Sequence, residues 1–197
     1  MLFGSAINLE MKDAEVIYYP NFFNKNDADN YFKNLLNAIN WKQDTITVFG
    51  KTHLQPRLTA FYAENKNTYK YSNIEMIPHP FEGDLLKIKK RIEKETKINF
   101  TSCLANLYRD GKDSNGWHAD DEKELGENPI IASVSFGEAR VFHFKHRFDK
   151  TQKAKLTLQH GSLLVMKEGT QKNWLHQIPK TKKDIGKRIN LTFRIIP

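Results

Sequence analysis

Two segments in the first half of the chain repeat their hydrophobic residues with the period of a helix. Within residues 24–39 and 81–97, apolar side chains recur at spacings of three and four, which places them on one helical face. They are Tyr31, Phe32, Leu35, Leu36 and Ile39 in the first segment, and Phe81, Leu85, Ile88 and Ile92 in the second. The pattern predicts two amphipathic helices that pack against a sheet.

From residue 99 onward the pattern changes to short β-branched and aromatic runs separated by polar turns, which is typical of strands. The runs cover residues 99–108, 130–136, 141–145, 154–158, 162–166 and 188–196, and the first half adds 45–49 and 58–63. Residues 48–51, Val-Phe-Gly-Lys, predict a hairpin tip. So many short strands without intervening helices favour a sandwich or jelly roll. We expect a mainly β fold of the α+β class, with a jelly-roll core and flanking helices.

The chain length of 197 residues fits one compact domain, and no internal repeat, low-complexity tract or Pro/Gly/Ser linker divides it. We expect a single catalytic domain over residues 1–197, with an N-terminal extension at 1–98 and the jelly-roll core at 99–197. The single cysteine, Cys103, lies in an apolar stretch and is expected in the core.

The net charge of +8 and the pI near 9.4 favour a polyanionic partner, because basic side chains neutralise phosphates and release counterions. Nucleic acid is a natural candidate, although lysine-rich surfaces are also common in proteins that bind none. The longest apolar runs are too short to cross a bilayer, and the first residues lack the features of a secretory signal. We expect a monomer without membrane association, cytoplasmic in a bacterium or nuclear in a eukaryote.

Candidate chemistry begins at His118 and Asp120, which are two residues apart. On an extended strand such residues point to the same side, so both can meet one metal ion. The pair alone is weak evidence, because it also occurs by chance or as a surface hydrogen bond. His176 follows after several strands that can fold back beside the pair. The remaining histidines have no partner at such a spacing, and we expect them to be structural or exposed: His53, His79, His143, His146 and His160.

Two histidines and one carboxylate on one octahedral face leave three coordination positions open. Non-haem Fe(II) needs those positions for an oxidant and a chelating co-substrate. Zinc is more usually held in a tetrahedral three-ligand site, so the set favours iron, while the ligand types alone leave manganese and zinc open.

The last predicted strand alternates polar and apolar residues. Ile189, Leu191 and Phe193 share one face, and the other face carries Arg188, Asn190, Thr192 and Arg194. Buried arginines are costly unless anions meet them. When the strand is considered without the metal pattern, the alternative is that its polar face is exposed to solvent. Beside the metal pattern, the two guanidinium groups suit the bidentate anchoring of a dicarboxylate co-substrate.

Several stretches, in order along residues 49–196, resemble the AlkB family of Fe(II)- and 2-oxoglutarate-dependent dioxygenases, and most closely its members that repair double-stranded DNA. The specific stretches are residues 106–113, 118–122, 131–137, 160–166 and 188–194. The resemblance implies a double-stranded β-helix core with N-terminal helices and a nucleotide-recognition hairpin lid. It also implies oxidative demethylation of 1-methyladenine and 3-methylcytosine in DNA. Fe(II), O2 and 2-oxoglutarate would be required, and formaldehyde, succinate and CO2 released.

The same resemblance assigns the catalytic residues. It implies that His118, Asp120 and His176 ligate Fe(II). Arg188 and Arg194 would bind 2-oxoglutarate. The predicted co-substrate site is completed by Asn106, Tyr108, Asn190 and Thr192.

The resemblance also predicts a substrate-binding pocket. Tyr71 would stack on the extruded base opposite His118, Tyr69 would line the same wall, and Asp121 would complement positive charge on the lesion. The alternative is that the tyrosines alternate on an ordinary strand and that Asp121 is solvated.

Two further residues belong to the predicted substrate site. Phe49, at the hairpin tip, would be a wedge pushed into the base stack, unless it folds inward as core. Arg57 matches a family position near the pocket. Residues 144–155 depart from the family in sequence and length, in a region that meets the opposite strand or other partners, so duplex preference is less secure than catalysis.

Three other functions fit part of the pattern. RNA demethylation would use the same chemistry on a single-stranded target. A non-enzymatic, basic nucleic-acid-binding module would make the histidines and Asp120 structural. Hydroxylation of protein or lipid would leave both the basic charge and the Tyr69/Tyr71 pair unexplained.

Overall fold

The computed structural model describes residues 5–48, 50–65, 69–71 and 74–196. The N-terminal part contains β1 (Ile7–Asn8), β2 (Val16–Tyr19), α1 (Lys25–Ala38), β3 (Thr45–Val48), β4 (Lys51–Leu54), β5 (Leu58–Ala63), β6 (Tyr69–Tyr71), β7 (Ile74–Met76) and α2 (Gly83–Thr96). The remainder contains β8 (Ser102–Tyr108), β9 (Asn115–His118), β10 (Ile131–Gly137), β11 (Arg140–His146), β12 (Lys153–Leu158), β13 (Ser162–Met166), α3 (Thr170–Asn173), β14 (Trp174–Ile178) and β15 (Arg188–Arg194).

Two antiparallel sheets form the jelly roll. The larger sheet has the strand order β1-β2-β13-β10-β15-β8-β5, and the smaller sheet has the order β12-β11-β14-β9. Strands from both halves of the sequence therefore share the larger sheet. The mainly β, jelly-roll fold predicted from the strand pattern is confirmed.

The larger sheet separates two hydrophobic cores. On one side, α1 and α2 pack against the odd-numbered residues of β15, such as Ile189 and Phe193, together with Leu35, Ile88 and Cys103. On the other side, the two sheets enclose a second core that contains Phe142, Phe144, Leu164, Trp174 and Ile178. The even-numbered residues of β8 and β15 point into this second space, which is where the site lies.

The two helices have the local signals expected at their ends. The side chain of Asn24 accepts a hydrogen bond from Asp27 N at 2.9 Å and so caps the start of α1. The α2 helix ends at Lys97, which adopts a left-handed conformation with φ of 60°. Both helices lie inside the ranges predicted from hydrophobic spacing. Neither they nor α3 is long and apolar enough to cross a membrane.

The predicted hairpin after residue 45 is also present. Strands β3 and β4 pair antiparallel, and Gly50 at the turn has φ of +75°. Strands β6 and β7 also pair antiparallel. Phe49 lies outside the described residues. Among the strands that the pattern did not predict, β1 and β2 join the larger sheet, and β14 joins the smaller sheet.

Candidate active site

The three predicted metal ligands converge inside the jelly roll. His118 ends β9 and pairs directly with His176 on β14, and Asp120 follows two residues later. Their potential ligand atoms all lie within 4.8 Å of one another. His176 Nε2 is 3.7 Å from Asp120 Oδ2. A metal ion therefore fits between two imidazoles and one carboxylate.

An irregularity in the strand pairing orients His118. The register between β14 and β9 shifts between His176 and Ile178, so Asn115 and His118 both face the cavity. The Gly116 carbonyl lies 2.8 Å from His118 Nδ1 and can only accept, so Nδ1 carries the proton. This leaves a lone pair on Nε2, which lies 3.1 Å from the amide nitrogen of Asn115. Such support of the outer nitrogen is typical of metal-bound histidines.

His176 is buried and neutral. Burial lowers its pKa to about 3, and the nearby His118 contributes to the decrease. Its ring stacks on Phe142 at 5.1 Å between centroids. Within the described part of the chain, its Nδ1 atom is buried without a hydrogen-bond partner. A neutral imidazole can offer a lone pair to a metal ion, and Nε2 is the ring nitrogen that faces Asp120.

Asp120 is ionised at neutral pH. Burial alone would raise its pKa, but Arg194 and the two histidines outweigh this effect and lower the pKa to about 2. Arg194 donates a hydrogen bond to Asp120 Oδ1. The Asp120 backbone N–H donates to Gln171 Oε1 at 2.9 Å. The carboxylate is thus held in the charged form that binds a divalent cation.

The donor set decides which metal fits best. Two neutral imidazoles on paired strands and one carboxylate two residues after the end of β9 match the ligand set of non-haem Fe(II), which keeps further positions open. The residues present therefore fit Fe(II), and donor type alone also admits manganese or zinc.

Arg188 forms the opposite end of the cavity. Its side chain is 1% exposed, and its Nη2 donates to Ser135 Oγ at 2.9 Å. Its Nε and Nη1 atoms are buried with no hydrogen-bond acceptor among the described residues. Burial lowers the pKa of Arg188 to about 10, and Tyr108 opposes this effect. A buried guanidinium without a carboxylate is costly, so the geometry fits an incoming anion such as the remote carboxylate of 2-oxoglutarate.

The polar residues between the metal ligands and Arg188 form one connected row. Strand register pairs Arg188 with Tyr108, and Asn190 with Asn106. Asn190 Nδ2 donates to Ser133 Oγ at 2.8 Å. The predicted co-substrate residues all line this one cavity with the three metal ligands: Asn106, Tyr108, Arg188, Asn190, Thr192 and Arg194. The convergence explains why so many polar groups lie inside a jelly roll.

The structure places the predicted substrate residues in different surroundings. Asp121 lies next to the site, and its carboxylate accepts a hydrogen bond from Arg147 at 2.5 Å. Arg57 is buried and donates to Asn106 Oδ1 at 2.8 Å, behind the cavity wall. Tyr69 and Tyr71 lie on β6, and their side chains are outside the described part, as is all of Phe49.

Sequence reasoning assigned no role to several residues at the site. They are Asn115, Ser133, Ser135, Phe142 and Gln171. Ser133 and Ser135 could have been found, because they alternate with apolar residues on a predicted strand and so share an inward face. Gln171 contacts Asp120 across 51 residues of sequence, and no local pattern points to it.

Comparison with known proteins agrees with this geometry. The family model described as "2OG-Fe(II) oxygenase superfamily" matches residues 15–194. The alpha-ketoglutarate-dependent dioxygenase alkB homolog 3 of Homo sapiens is 41% identical over 192 residues, which cover 93% of this chain and 66% of that protein. The DNA oxidative demethylase ALKBH2 of Mus musculus is 37% identical over 188 residues, which cover 90% of this chain and 79% of that protein.

Solved structures share the fold at low sequence identity. The structure titled "The structure of OsALKBH1" has a TM-score of 0.68 and 16% identity, covering 97% of this chain and 100% of that one. A 2OG-Fe(II) oxygenase family oxidoreductase from Burkholderia pseudomallei has a TM-score of 0.60 and 11% identity. The match covers 91% of this chain and 84% of that one.

The fold, the two-histidine, one-carboxylate site and the buried arginine together are those of the 2OG-Fe(II) oxygenase class, and the residues present fit Fe(II) and 2-oxoglutarate. The chain belongs to the AlkB branch of the 2OG-Fe(II) oxygenase superfamily. It spans 66% of the length of the alkB homolog 3 relatives from cattle and human, just under two thirds.

Proposed function

We propose that this protein oxidatively removes N-methyl groups from alkylated bases in nucleic acid, with 1-methyladenine and 3-methylcytosine in DNA as its substrates. The observation that carries the proposal is the cavity in which His118, Asp120 and His176 face the buried Arg188. The relatives named DNA oxidative demethylase support DNA as the substrate. The balanced reaction consumes O2 and 2-oxoglutarate and releases succinate, CO2, formaldehyde and the unmethylated base.

When bound, Fe(II) and 2-oxoglutarate would activate O2, which is the oxidant for hydroxylation of the N-methyl carbon. His118, Asp120 and His176 hold the metal. Arg194 keeps Asp120 ionised, and the Gly116 carbonyl keeps the lone pair of His118 on Nε2. These contacts fix ligand orientation before substrate arrives, so little reorganisation is needed during the reaction.

Arg188 determines how the co-substrate lies in the cavity. Its Nε and Nη1 atoms are buried without an acceptor among the described residues, while Ser135 Oγ accepts a hydrogen bond from Nη2. Arg188 would hold one carboxylate of a dicarboxylate, and the metal ligands line the same cavity. Asn106, Asn190 and Thr192 supply polar contacts along its length.

The base-binding residues form the second part of the proposal. Asp121 is half-exposed beside the metal ligand Asp120 and would attract the positive charge of a methylated ring. Tyr71 would stack on the flipped base opposite His118, Tyr69 would line the same wall, and Phe49 would fill the space that the base leaves. Arg57 supports the site indirectly, because it holds Asn106.

The test measures succinate and formaldehyde together on oligonucleotides that carry one 3-methylcytosine. Duplex DNA, single-stranded DNA and RNA of the same sequence are compared, with an unmethylated DNA control. We expect equal amounts of both products on methylated DNA and no formaldehyde from the control.

The variant His118→Ala should lose both products on every substrate, and His53→Ala, an exposed histidine of β4, serves as the matched control. Equal turnover by His118→Ala and the parent would refute the metal assignment. Faster turnover on RNA than on either DNA would replace DNA with RNA as the substrate.

A further inference from the structure

The outward side of the smaller sheet carries a compact basic and aromatic surface. We call it the basic outer face, and it consists of Trp117, His143, Lys145, Lys153 and Lys155. Side chains alternate along each strand, so these residues lie on the face of the smaller sheet opposite to the face that carries His118 and His176. Trp117 is adjacent to His118, and the two side chains point to opposite faces of β9.

The positive charges on this face are concentrated by strand pairing. Lys145 lies directly opposite Lys153, and His143 lies opposite Lys155. Like charges that face each other across a strand pair are destabilising. Burial and the nearby Lys155 both lower the pKa of His143, in agreement with a positive potential here. The fold therefore tolerates an unfavourable arrangement at this position.

Among the residues that the structure describes, no acidic side chain pairs with these lysines. The four strands β9, β11, β12 and β14 contain no aspartate or glutamate. Within the described ranges, the three lysines have no carboxylate within 4.0 Å. Lys87, Lys89 and Lys167, by contrast, each lie within 2.9 Å of a carboxylate oxygen.

Protection of a sheet edge explains only part of this surface. Exposed lysines on an edge strand discourage strand addition, and β12 is an edge strand. Lys145, however, lies on the interior strand β11, with its ammonium group 4.3 Å from the ring centroid of Trp117. Trp117 itself is 39% exposed. An exposed indole held beside an unpaired cation has no role in edge protection.

This combination matches the chemistry of single-stranded nucleic acid. Lysines meet phosphates, and an exposed indole offers a stacking surface to an unpaired base, whereas the bases of a duplex are stacked inside it. We propose that the basic outer face binds the single-stranded segment that flanks the target base. The lysines contact phosphates and Trp117 contacts a neighbouring base. The substrate assignment rests on the proposed function, but binding to this face does not require catalysis.

The first test is fluorescence anisotropy with an unmethylated, labelled 15-nucleotide single strand, which needs no turnover. The triple variant Lys145→Gln/Lys153→Gln/Lys155→Gln should weaken binding about tenfold, and the salt dependence should lose about 2 units of slope, since each phosphate contact contributes ~0.7. The matched control Lys33→Gln/Lys90→Gln/Lys94→Gln removes the same charge from exposed positions on α1 and α2 and should bind like the parent.

Trp117 is tested separately. Trp117→Leu should weaken binding about fivefold or more, in the range of one lost stacking contact, and Trp117→Phe should recover most of it. Equal losses of binding affinity in the two lysine triples would show that only net charge matters, and this would overturn the proposal. So would unchanged binding by the outer-face triple.

A kinetic comparison separates this proposal from the proposed function. On a methylated 15-nucleotide strand, the outer-face triple should raise KM far more than on a methylated trinucleotide, which is too short to span the face. If the parent turns over both substrates and the outer-face triple changes KM equally for the two lengths, the outer-face proposal is rejected and the demethylase function stands. Absence of turnover in the parent, with the anisotropy differences intact, would reject the demethylase function alone.

Discussion

Arg147 and Asp121 form an ion pair next to the predicted metal ligand Asp120, with Nη2 of Arg147 2.5 Å from Oδ2 of Asp121. Arg147 follows β11, whereas Asp121 follows the metal ligand Asp120. The carboxylate proposed to attract a cationic base is therefore already neutralised by a residue from another part of the chain. A methylated base that carries positive charge must compete with this guanidinium.

The variant Arg147→Met tests that competition. Removal of the guanidinium should lower KM for 3-methylcytosine, which is cationic, by a few fold, because Asp121 becomes available to the lesion. KM for a neutral methylated base such as 3-methylthymine should not decrease. Steady-state kinetics on matched oligonucleotides measure both. An increase of KM for both lesions would instead assign Arg147 to phosphate binding.

The metal assignment predicts a selective loss of bound iron. His176→Ala removes one buried donor, so the purified protein should retain little Fe(II) after desalting, and kcat should fall by at least ~10³. Metal content is measured by atomic absorption. His53→Ala should keep the metal content and activity of the parent. Full iron occupancy in the His176→Ala protein would show that the triad is structural.

We expect Arg188 to lower the free energy of unfolding of the ligand-free protein. Arg188→Met removes a buried cation that lacks a carboxylate, so the free energy of unfolding should stay the same or increase by about 1 kcal/mol. In the parent, 2-oxoglutarate at a hundredfold excess over Kd should stabilise by about 2.7 kcal/mol, and the variant should lose this gain. Urea unfolding with and without 2-oxoglutarate measures both quantities.

Arg140 is the matched control for Arg188. It is equally buried, but its guanidinium donates to the backbone carbonyls of Asp110, Asp113 and Pro179. Arg140→Met should therefore destabilise the protein by about 2 kcal/mol, because buried acceptors lose their donors. Equal destabilisation by both variants would contradict the anion-binding role of Arg188.

The buried lysine of α2 should make stability sensitive to alkaline pH. Lys89 Nζ lies 2.7 Å from Glu93 and 2.8 Å from Glu64. Burial lowers its pKa, but the two carboxylates outweigh this and raise it above the ordinary value of 10.5. The stabilisation is then complete below the unfolded pKa and is lost as pH rises through the higher folded pKa.

Lys89→Met should accordingly lower the free energy of unfolding by about 2 kcal/mol at pH 7. The difference from the parent should shrink above pH 10.5. Lys90→Met, at the neighbouring exposed position, should have little effect at either pH. Urea denaturation at several pH values provides the measurement, and a difference that grows with pH would have the wrong sign.

Much of the fold could be predicted because it follows from local periodicity. The spacing of Leu35 and Ile39, or of Ile88 and Ile92, is enough to predict a helix and the face it buries. The alternation along β15 likewise predicts that Arg188 and Arg194 share a face. The short β14 strand was missed because its mixed sequence resembles a loop until its neighbours are known.

The sequence by itself determined which residues are chemically able to form the site, since donor types and strand periodicity are local properties. Only the tertiary structure decided which of them meet. Gln171 supports Asp120, Arg147 neutralises Asp121, and Arg57 lies behind Asn106 instead of on the cavity wall. These contacts join residues from distant segments, and they depend on sheet order and strand register, which local patterns do not encode.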